Sequence, residues 1–122
     1  MREVDHRFIP HAVFGHPQVA SVGLTEQDAI AAGVEHVCHV QQYGSAAYGW
    51  AMEDTTSIVK LVMDPSTRTL LGAHLCGPQA STLIQQLIQG MAFGLTVDQM
   101  ATGQYYIHPA LPEVVEQALL EL

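Results

Sequence analysis

The chain has 122 residues, enough for one domain with a core of its own. Hydrophobic residues make up 48% of it and charged residues only 13%, so we expect some apolar surface to need a partner. A net charge of −8 repels a phosphate backbone and excludes nucleic acid as a partner. Polar residues break every apolar run before the ~20 residues needed to cross a bilayer, which excludes a membrane-spanning segment.

The first elements are two short strands and a helix. Residues 1–8 form a polar lead-in without cap or periodicity, so we place them outside a single domain over 9–122. Runs at 11–14 and 19–24 favour strands on either side of a turn that contains a His-Pro pair. A threonine cap, first-turn acids and a terminal glycine predict a helix over 25–33.

The middle of the chain predicts a hairpin. Imperfect alternation favours a strand over 34–43, and small and aromatic residues favour a loop over 44–57. The β-branched run at 55–63 reaches an Asp-Pro turn and returns as an apolar strand at 70–77. This is the clearest antiparallel pair in the sequence.

Helices dominate the last third of the chain. Apolar residues at helical spacing predict the main amphipathic helix over 78–94, a threonine cap starts a short helix over 96–101, and a third helix covers 112–122. Strands followed by helices, with a central hairpin, predict an α+β fold in which helices pack on an antiparallel sheet. No G-x-G-x-x-G motif follows a strand, so we expect no dinucleotide-binding fold in these residues.

A histidine and a glutamate near the end of the chain carry the strongest chemical signal. Pro109 keeps His108 on extended backbone, and Pro112 fits the first helical position, which puts Glu113 in the first turn. Helical side chains lean toward the N-terminus, so Glu113 leans back toward His108. We therefore expect a hydrogen-bonded pair, in which the carboxylate favours the protonated ring and makes a general acid or base.

The pair also has an ordinary structural interpretation. In that reading His108 is a turn residue that caps a carbonyl, and Glu113 is a first-turn acid of the helix. A His–Glu pair with no Ser, Cys or metal beside it does little chemistry. If the pair is functional, it must act on a group that another chain or domain supplies.

Two other clusters are weaker candidates. His36 and Cys38 on one strand, with His74 and Cys76 on another, are compatible with a zinc site, although the spacing is unlike common zinc motifs and we expect no metal. The two cysteines lie far apart and favour a reducing compartment, so we expect a cytoplasmic protein. The aromatic residues of the 43–50 loop either line a ligand cleft or pack in an interface, and we favour the interface.

Three segments in order carry a family resemblance. They are "IPHAVFGHPQVASVGLTEQDA" (9–29), "VKLVMDPSTRTLLGAHLCGPQA" (59–80) and "HPALPEVVEQAL" (108–119). Together they resemble the C-terminal dimerisation domain of the FAD- and NAD(P)-dependent disulfide reductases, a family that includes glutathione reductase, dihydrolipoamide dehydrogenase and mercuric reductase.

The resemblance implies a homodimer in which each domain sends its terminal histidine into the partner's active site. His108 then matches the proton-donating acid/base, Glu113 the carboxylate that orients it, and the backbone of Ile107 and His108 lies near the partner's flavin. FAD, NADPH or NADH and the redox-active dithiol would belong to upstream domains, and the substrate would be the disulfide of a low-molecular-weight thiol. The 122 residues alone would then bind no cofactor and be inactive.

Two alternatives remain open from the sequence. One is a homodimerisation module with no catalytic role, and the other is a small-molecule binding domain that uses the 43–50 loop. Ligand-induced thermal stabilisation of the chain would support the second.

Overall fold

The protein is a five-stranded antiparallel sheet with helices packed on it. The computed structural model describes residues 1–122, and the strand order is β1-β2-β5-β4-β3 with every neighbouring pair antiparallel. The strands are β1 His11–Val13, β2 Val19–Gly23, β3 Val37–Gln42, β4 Ile58–Met63 and β5 Leu70–Cys76. The helices are α1 Glu26–Ala31, α2 Ala47–Ala51, α3 Ala80–Ala92, α4 Val97–Thr102 and α5 Pro112–Leu120. The predicted α+β fold is confirmed.

Two short helices begin with reciprocal caps. The side chain of Thr25 accepts a hydrogen bond from the backbone of Asp28, whose carboxylate accepts one from the backbone of Thr25. Thr96 and Gln99 repeat this arrangement at the start of α4. Each box satisfies backbone N–H groups that the first helical turn leaves without partners, which explains why six-residue helices are stable here.

The predicted central hairpin is confirmed as β4 and β5. At its turn, the Asp64 carboxylate accepts hydrogen bonds from the backbone and hydroxyl of Ser66 at 2.8 and 2.7 Å. This turn fixes the register, in which Lys60 pairs with His74. Because the side-chain period of a strand is two, the register decides which side chains of both strands face the core.

One face of the sheet is buried. Helix α3 packs against β1, β2 and β5, while α5 packs against β3 and β4, so together they cover the strands from edge to edge. The resulting single core contains 23 buried residues. Its largest fully buried side chains include Tyr43, Leu61, Met63, Leu75, Leu87, Val114 and Val115.

The opposite face carries polar side chains among half-buried ones. Ser21, His74, Lys60 and Val40 pair in turn across four strands and lie in one row on this face. It differs from the core face because alternate residues of each strand point to opposite sides. Helix α1 begins beside this face, where Glu26 pairs with Lys60.

Two sequence predictions were wrong in detail. The 44–57 region contains the short helix α2, where a pure loop was predicted, and Tyr43 is fully buried rather than part of an interface. The hydroxyl of Tyr43 donates to the carbonyl of Pro78 at 3.1 Å, and burial raises its pKa. A tyrosine can be buried in this way because its one polar atom finds a partner. None of the helices has the length and apolarity required to span a membrane.

Candidate functional site

The candidate site lies on the connection between α4 and α5. Tyr106 anchors this connection, because its hydroxyl donates to the carbonyl of Met100 at 2.9 Å. Gln104 donates to the same carbonyl at 3.2 Å, and burial raises the pKa of Tyr106. The anchor holds the connection at one point, while the residues that follow Tyr106 extend into solvent.

The predicted contact between His108 and Glu113 is present. Nδ1 of His108 lies 2.8 Å from Oε1 and 3.1 Å from Oε2 of Glu113, so the ring donates this proton to an ionised carboxylate. Pro112 occupies the first turn of α5, as the sequence predicted, and directs Glu113 back toward the histidine. The backbone N–H of Ala110 donates to Oε2 of Glu113 at 3.3 Å and fixes the carboxylate from its other side.

The pair presents one free ring nitrogen to the outside. The His108 side chain is 69% exposed and that of Glu113 only 18%, so the carboxylate lies beneath the ring. With Nδ1 occupied, Nε2 has no partner within the chain and is the atom that can give or take a proton. An imidazole oriented in this way by a carboxylate is the arrangement that general acid–base catalysis uses.

Nothing within the chain completes this site. Tyr105 and Ile107 lie on either side of Tyr106, and the side chains of both are exposed to solvent. Tyr105 therefore forms no pocket wall for His108 within the chain. The backbone groups of Ile107 and His108 make no hydrogen bond in the chain and are available to an external partner.

The zinc quartet considered from the sequence is not assembled. Nε2 of His74 donates to the carbonyl of Leu24 at 2.9 Å, and Nδ1 lies 3.0 Å from the hydroxyl of Ser21, so neither nitrogen is free. Cys38 shares its row of the sheet with Gly72, four residues along β5 from Cys76. That spacing corresponds to about 13 Å, too far for a shared metal.

A different cluster forms around two of those residues. Glu26, His36 and Cys38 bring one ligand atom each to within 4.8 Å of one another. Glu26 was not among the candidates from the sequence, because a residue on α1 gives no local signal that it will lie beside β3. Only the packing of the start of α1 on the sheet brings the three together.

The aromatic loop divides between core and surface. Tyr43 belongs to the core, whereas Trp50 is 76% exposed on the surface of α2. An open depression lies beside it, lined by Trp50 itself and by residues that include Gln42, Glu53 and Asp54. Because the large ring of Trp50 stays exposed to solvent, an interface role remains the better interpretation.

The family follows from the fold and from a sequence match over nearly the whole chain. The family model described as pyridine nucleotide-disulphide oxidoreductase, dimerisation domain, matches residues 9–119. The chain therefore belongs to the pyridine nucleotide-disulphide oxidoreductase family, as its dimerisation domain.

Among its curated relatives, the similarity to one enzyme is high. Mycothione reductase of Mycobacterium tuberculosis is 62% identical over 97% of this chain, which covers 26% of that protein. Dihydrolipoyl dehydrogenase 2 of Haloarcula marismortui is 38% identical over 93% of the chain and 24% of its own length. The chain thus spans about a quarter of the length of the curated relatives it matches.

Solved structures share the fold. LpdA from Mycobacterium tuberculosis superposes with a TM-score of 0.90 at 22% identity, covering 98% of this chain and 26% of LpdA. The flavoprotein disulfide reductase RclA from Escherichia coli gives a TM-score of 0.86 at 24% identity, with 94% and 26% covered. At these identities the likeness establishes the architecture alone.

Proposed function

We propose that this chain is the dimerisation domain of a mycothione-reducing flavoenzyme, in which His108 donates a proton to the dithiol site of the partner subunit. The observation that carries the proposal is the exposed His108–Glu113 pair, a complete acid–base unit with no group in its own chain to act on. A second copy of the enzyme related by a two-fold axis would supply that group to each His108 in turn.

The large exposed area of the chain supports the proposal that another protein surface covers part of it. Its accessible area is 7377 Å², whereas a compact monomer of its 13.2 kDa exposes about 6,400 Å². Part of the excess comes from the polar lead-in, which contains no helix or strand. The rest includes large apolar side chains that water contacts directly, among them Phe14, Trp50, Phe93, Tyr105 and Ile107. Aromatic residues of this kind are enriched where protein surfaces meet.

His108 would act at the moment when the disulfide bond of the substrate breaks. A thiolate of the partner's dithiol attacks one sulfur of the substrate, the sulfur–sulfur bond breaks, and the second sulfur leaves as a thiolate. Imidazolium at His108 would give its Nε2 proton to that leaving thiolate, while Glu113 holds Nδ1 and stabilises the ring charge. Proton transfer would then be the chemical contribution of this domain.

The cofactors would bind elsewhere in the complete enzyme. FAD, reduced by NADPH or NADH, supplies electrons to the dithiol in this family's chemistry. In this chain, the backbone groups of Ile107 and His108 are the ones that fit beside a partner's flavin, because both residues are exposed and these groups lack partners. The remaining residues would serve dimer formation and the placement of the histidine.

The substrate is the finer part of the proposal. The 62% identity to mycothione reductase favours mycothione, and the segments "YGWAMEDT" (48–55) and "GQYYIHPALPEVVE" (103–116) resemble that enzyme. The dihydrolipoyl dehydrogenases, at 30–38% identity, make oxidation of dihydrolipoamide the second candidate. Steady-state rates of the complete enzyme with mycothione and with lipoamide substrates distinguish the two.

The central test is a His108→Ala substitution in the complete enzyme. We expect disulfide turnover to fall by ~10²–10⁴-fold, because a positioned general acid contributes about that much. The rate at which the nicotinamide cofactor reduces the flavin, monitored in a rapid-mixing experiment, should stay nearly unchanged. This separation of the two half-reactions places the histidine in the disulfide step.

His11→Ala is the matched control. His11 is also exposed but lies on β1, at the sheet edge opposite to the strands that α5 covers. Its substitution should leave both half-reactions intact. Equal loss of both half-reactions in His108→Ala, or no loss in either, would contradict the proposed role.

A further inference from the structure

A cluster of three potential metal ligands lies on the sheet face opposite to the main core. One ligand atom each from Glu26, His36 and Cys38 lies within 4.8 Å of the other two. Cys38 pairs with Val62 and therefore points away from the core face, and Glu26 begins α1 on the same side of the sheet as Cys38. All three side chains are half-buried, so the site is partly shielded and still open to an ion from solvent.

The ring of His36 is already oriented by a second contact. Its Nδ1 donates to the carbonyl of Val34 at 2.8 Å, which leaves the lone pair of the neutral ring on Nε2. Metal-binding histidines usually donate their other ring proton to a carbonyl or carboxylate in this way. His36 thus has the protonation pattern of a ligand, unlike His74, whose two nitrogens both have protein partners.

The chemistry of the three groups selects a borderline-soft divalent ion. Thiolate, imidazole and carboxylate together suit Zn²⁺, and three protein ligands leave a fourth position for water. Tetrahedral coordination with bonds of about 2.0–2.3 Å puts the ligand atoms about 3.3–3.6 Å apart. Starting from within 4.8 Å, the side chains reach these distances by rotamer adjustments of about 1 Å.

Lys60 is the group that competes with an ion at this place. Its Nζ lies 2.5 Å from Oε2 of Glu26 and neutralises that carboxylate. The Lys60 side chain is 25% exposed on a flexible stem, so it can turn into solvent when a divalent cation replaces it. The site therefore exchanges one cation for another rather than exposing an unpaired charge.

We propose that Glu26, His36 and Cys38 form a Zn²⁺ site that joins the start of α1 to β3. The site is separate from the His108–Glu113 pair and does not depend on the proposed reductase function. Bound zinc would cross-link residues that are 10 to 12 positions apart and would stabilise this side of the sheet.

Zinc binding to the purified 122-residue chain tests the proposal. Titration of ZnCl₂ against a chromophoric chelator should give one ion per chain, and Zn²⁺ should raise the melting temperature. CoCl₂ should give a thiolate-to-cobalt charge-transfer band. Glu26→Gln, His36→Gln and Cys38→Ser should each weaken binding at least ~10-fold, since even the loss of a group that only orients a ligand costs ~10–100-fold.

Variants of matched chemistry serve as controls. Cys76→Ser removes the other cysteine and His74→Gln another strand histidine, and neither should change zinc affinity. Lys60→Met should strengthen binding, because it removes the competing cation. Circular dichroism of each variant verifies the fold, and if Cys38→Ser unfolds, His36→Gln together with Lys60→Met still tests the site. Absence of stoichiometric zinc, or zinc bound as tightly by folded Cys38→Ser as by the unsubstituted chain, overturns the proposal.

Discussion

Nδ1 of His108 lies 2.8 Å from Oε1 of Glu113, although the two residues are five positions apart in the sequence. Within one continuous helix, residues at that spacing point about 140° apart and do not meet. They meet here because His108 precedes α5 on non-helical backbone, while Glu113 lies in the first turn and leans back toward it. The acid–base pair is thus a product of where the helix begins.

Replacing Glu113 with glutamine tests the orienting role of the carboxylate. The amide oxygen can still accept the Nδ1 proton, but the negative charge that favours imidazolium is lost. In the complete enzyme we expect disulfide turnover to fall by less than the ~10²–10⁴-fold expected for His108→Ala. We also expect the pH profile of turnover to change, because the charge beside the ring is lost.

Glu116→Gln provides the control for this experiment. Glu116 lies on α5 one turn after Glu113, is also half-buried and makes no ion pair. Its substitution should leave the pH profile in place. An unchanged profile in Glu113→Gln would separate the observed hydrogen bond from catalysis.

Gly72→Ala tests a close backbone approach in the sheet. A Cβ at Gly72 would lie 1.9 Å from the carbonyl oxygen of Leu24, which is backbone and cannot rotate away. We expect destabilisation of ~1–3 kcal/mol or more, measured by urea unfolding, because overpacking here must move the β2–α1 connection. Gly33→Ala is the comparison, since its Cβ would meet no atom and only the positive φ of 66° is strained. A smaller loss in Gly72→Ala than in Gly33→Ala would refute the steric argument.

Acid stability follows in part from three hydrogen-bonded carboxylates. Hydrogen bonds from Thr25, Ser66 and Arg68 hold the pKa values of Asp28, Asp64 and Asp98, in that order, below their ordinary value of 3.8. A pKa that is lower in the folded state gives stability that is present above the ordinary value. This stability is lost as pH falls below 3.8 through the folded-state values.

Melting temperatures between pH 6 and pH 2 measure this loss. We expect the steepest acid decline to begin near pH 3.8 and to be shallower in Asp64→Asn, whose side-chain oxygen still accepts from Ser66 but no longer titrates. Screening by solvent limits the effect of each carboxylate. A decline complete above pH 5, identical in the variant, would assign acid unfolding to other groups.

Local signals in the sequence predicted most elements. The cap at Thr25, the turn at Asp64 and the apolar stripe of α3 depend on residues within a few positions of one another, and each appears where expected. The same holds for the His108–Glu113 contact, which two nearby prolines determine. Helix α2 was missed because its alanines, glycine and aromatics give no periodic pattern, and its glycine, Gly49, packs directly against the carbonyl of Tyr43.

The sequence by itself determined the antiparallel α+β fold and the paired imidazole and carboxylate, because caps, turns and side-chain periodicity act over short distances. The family came from the resemblance of three ordered segments to known dimerisation domains. Only the tertiary structure decided which long-range neighbours meet. It separated Cys38 from Cys76, satisfied both nitrogens of His74 and brought Glu26 to His36 and Cys38. The physical reason is that strand register and the packing of α1 on the sheet set these distances, and neither is encoded within a short segment of chain.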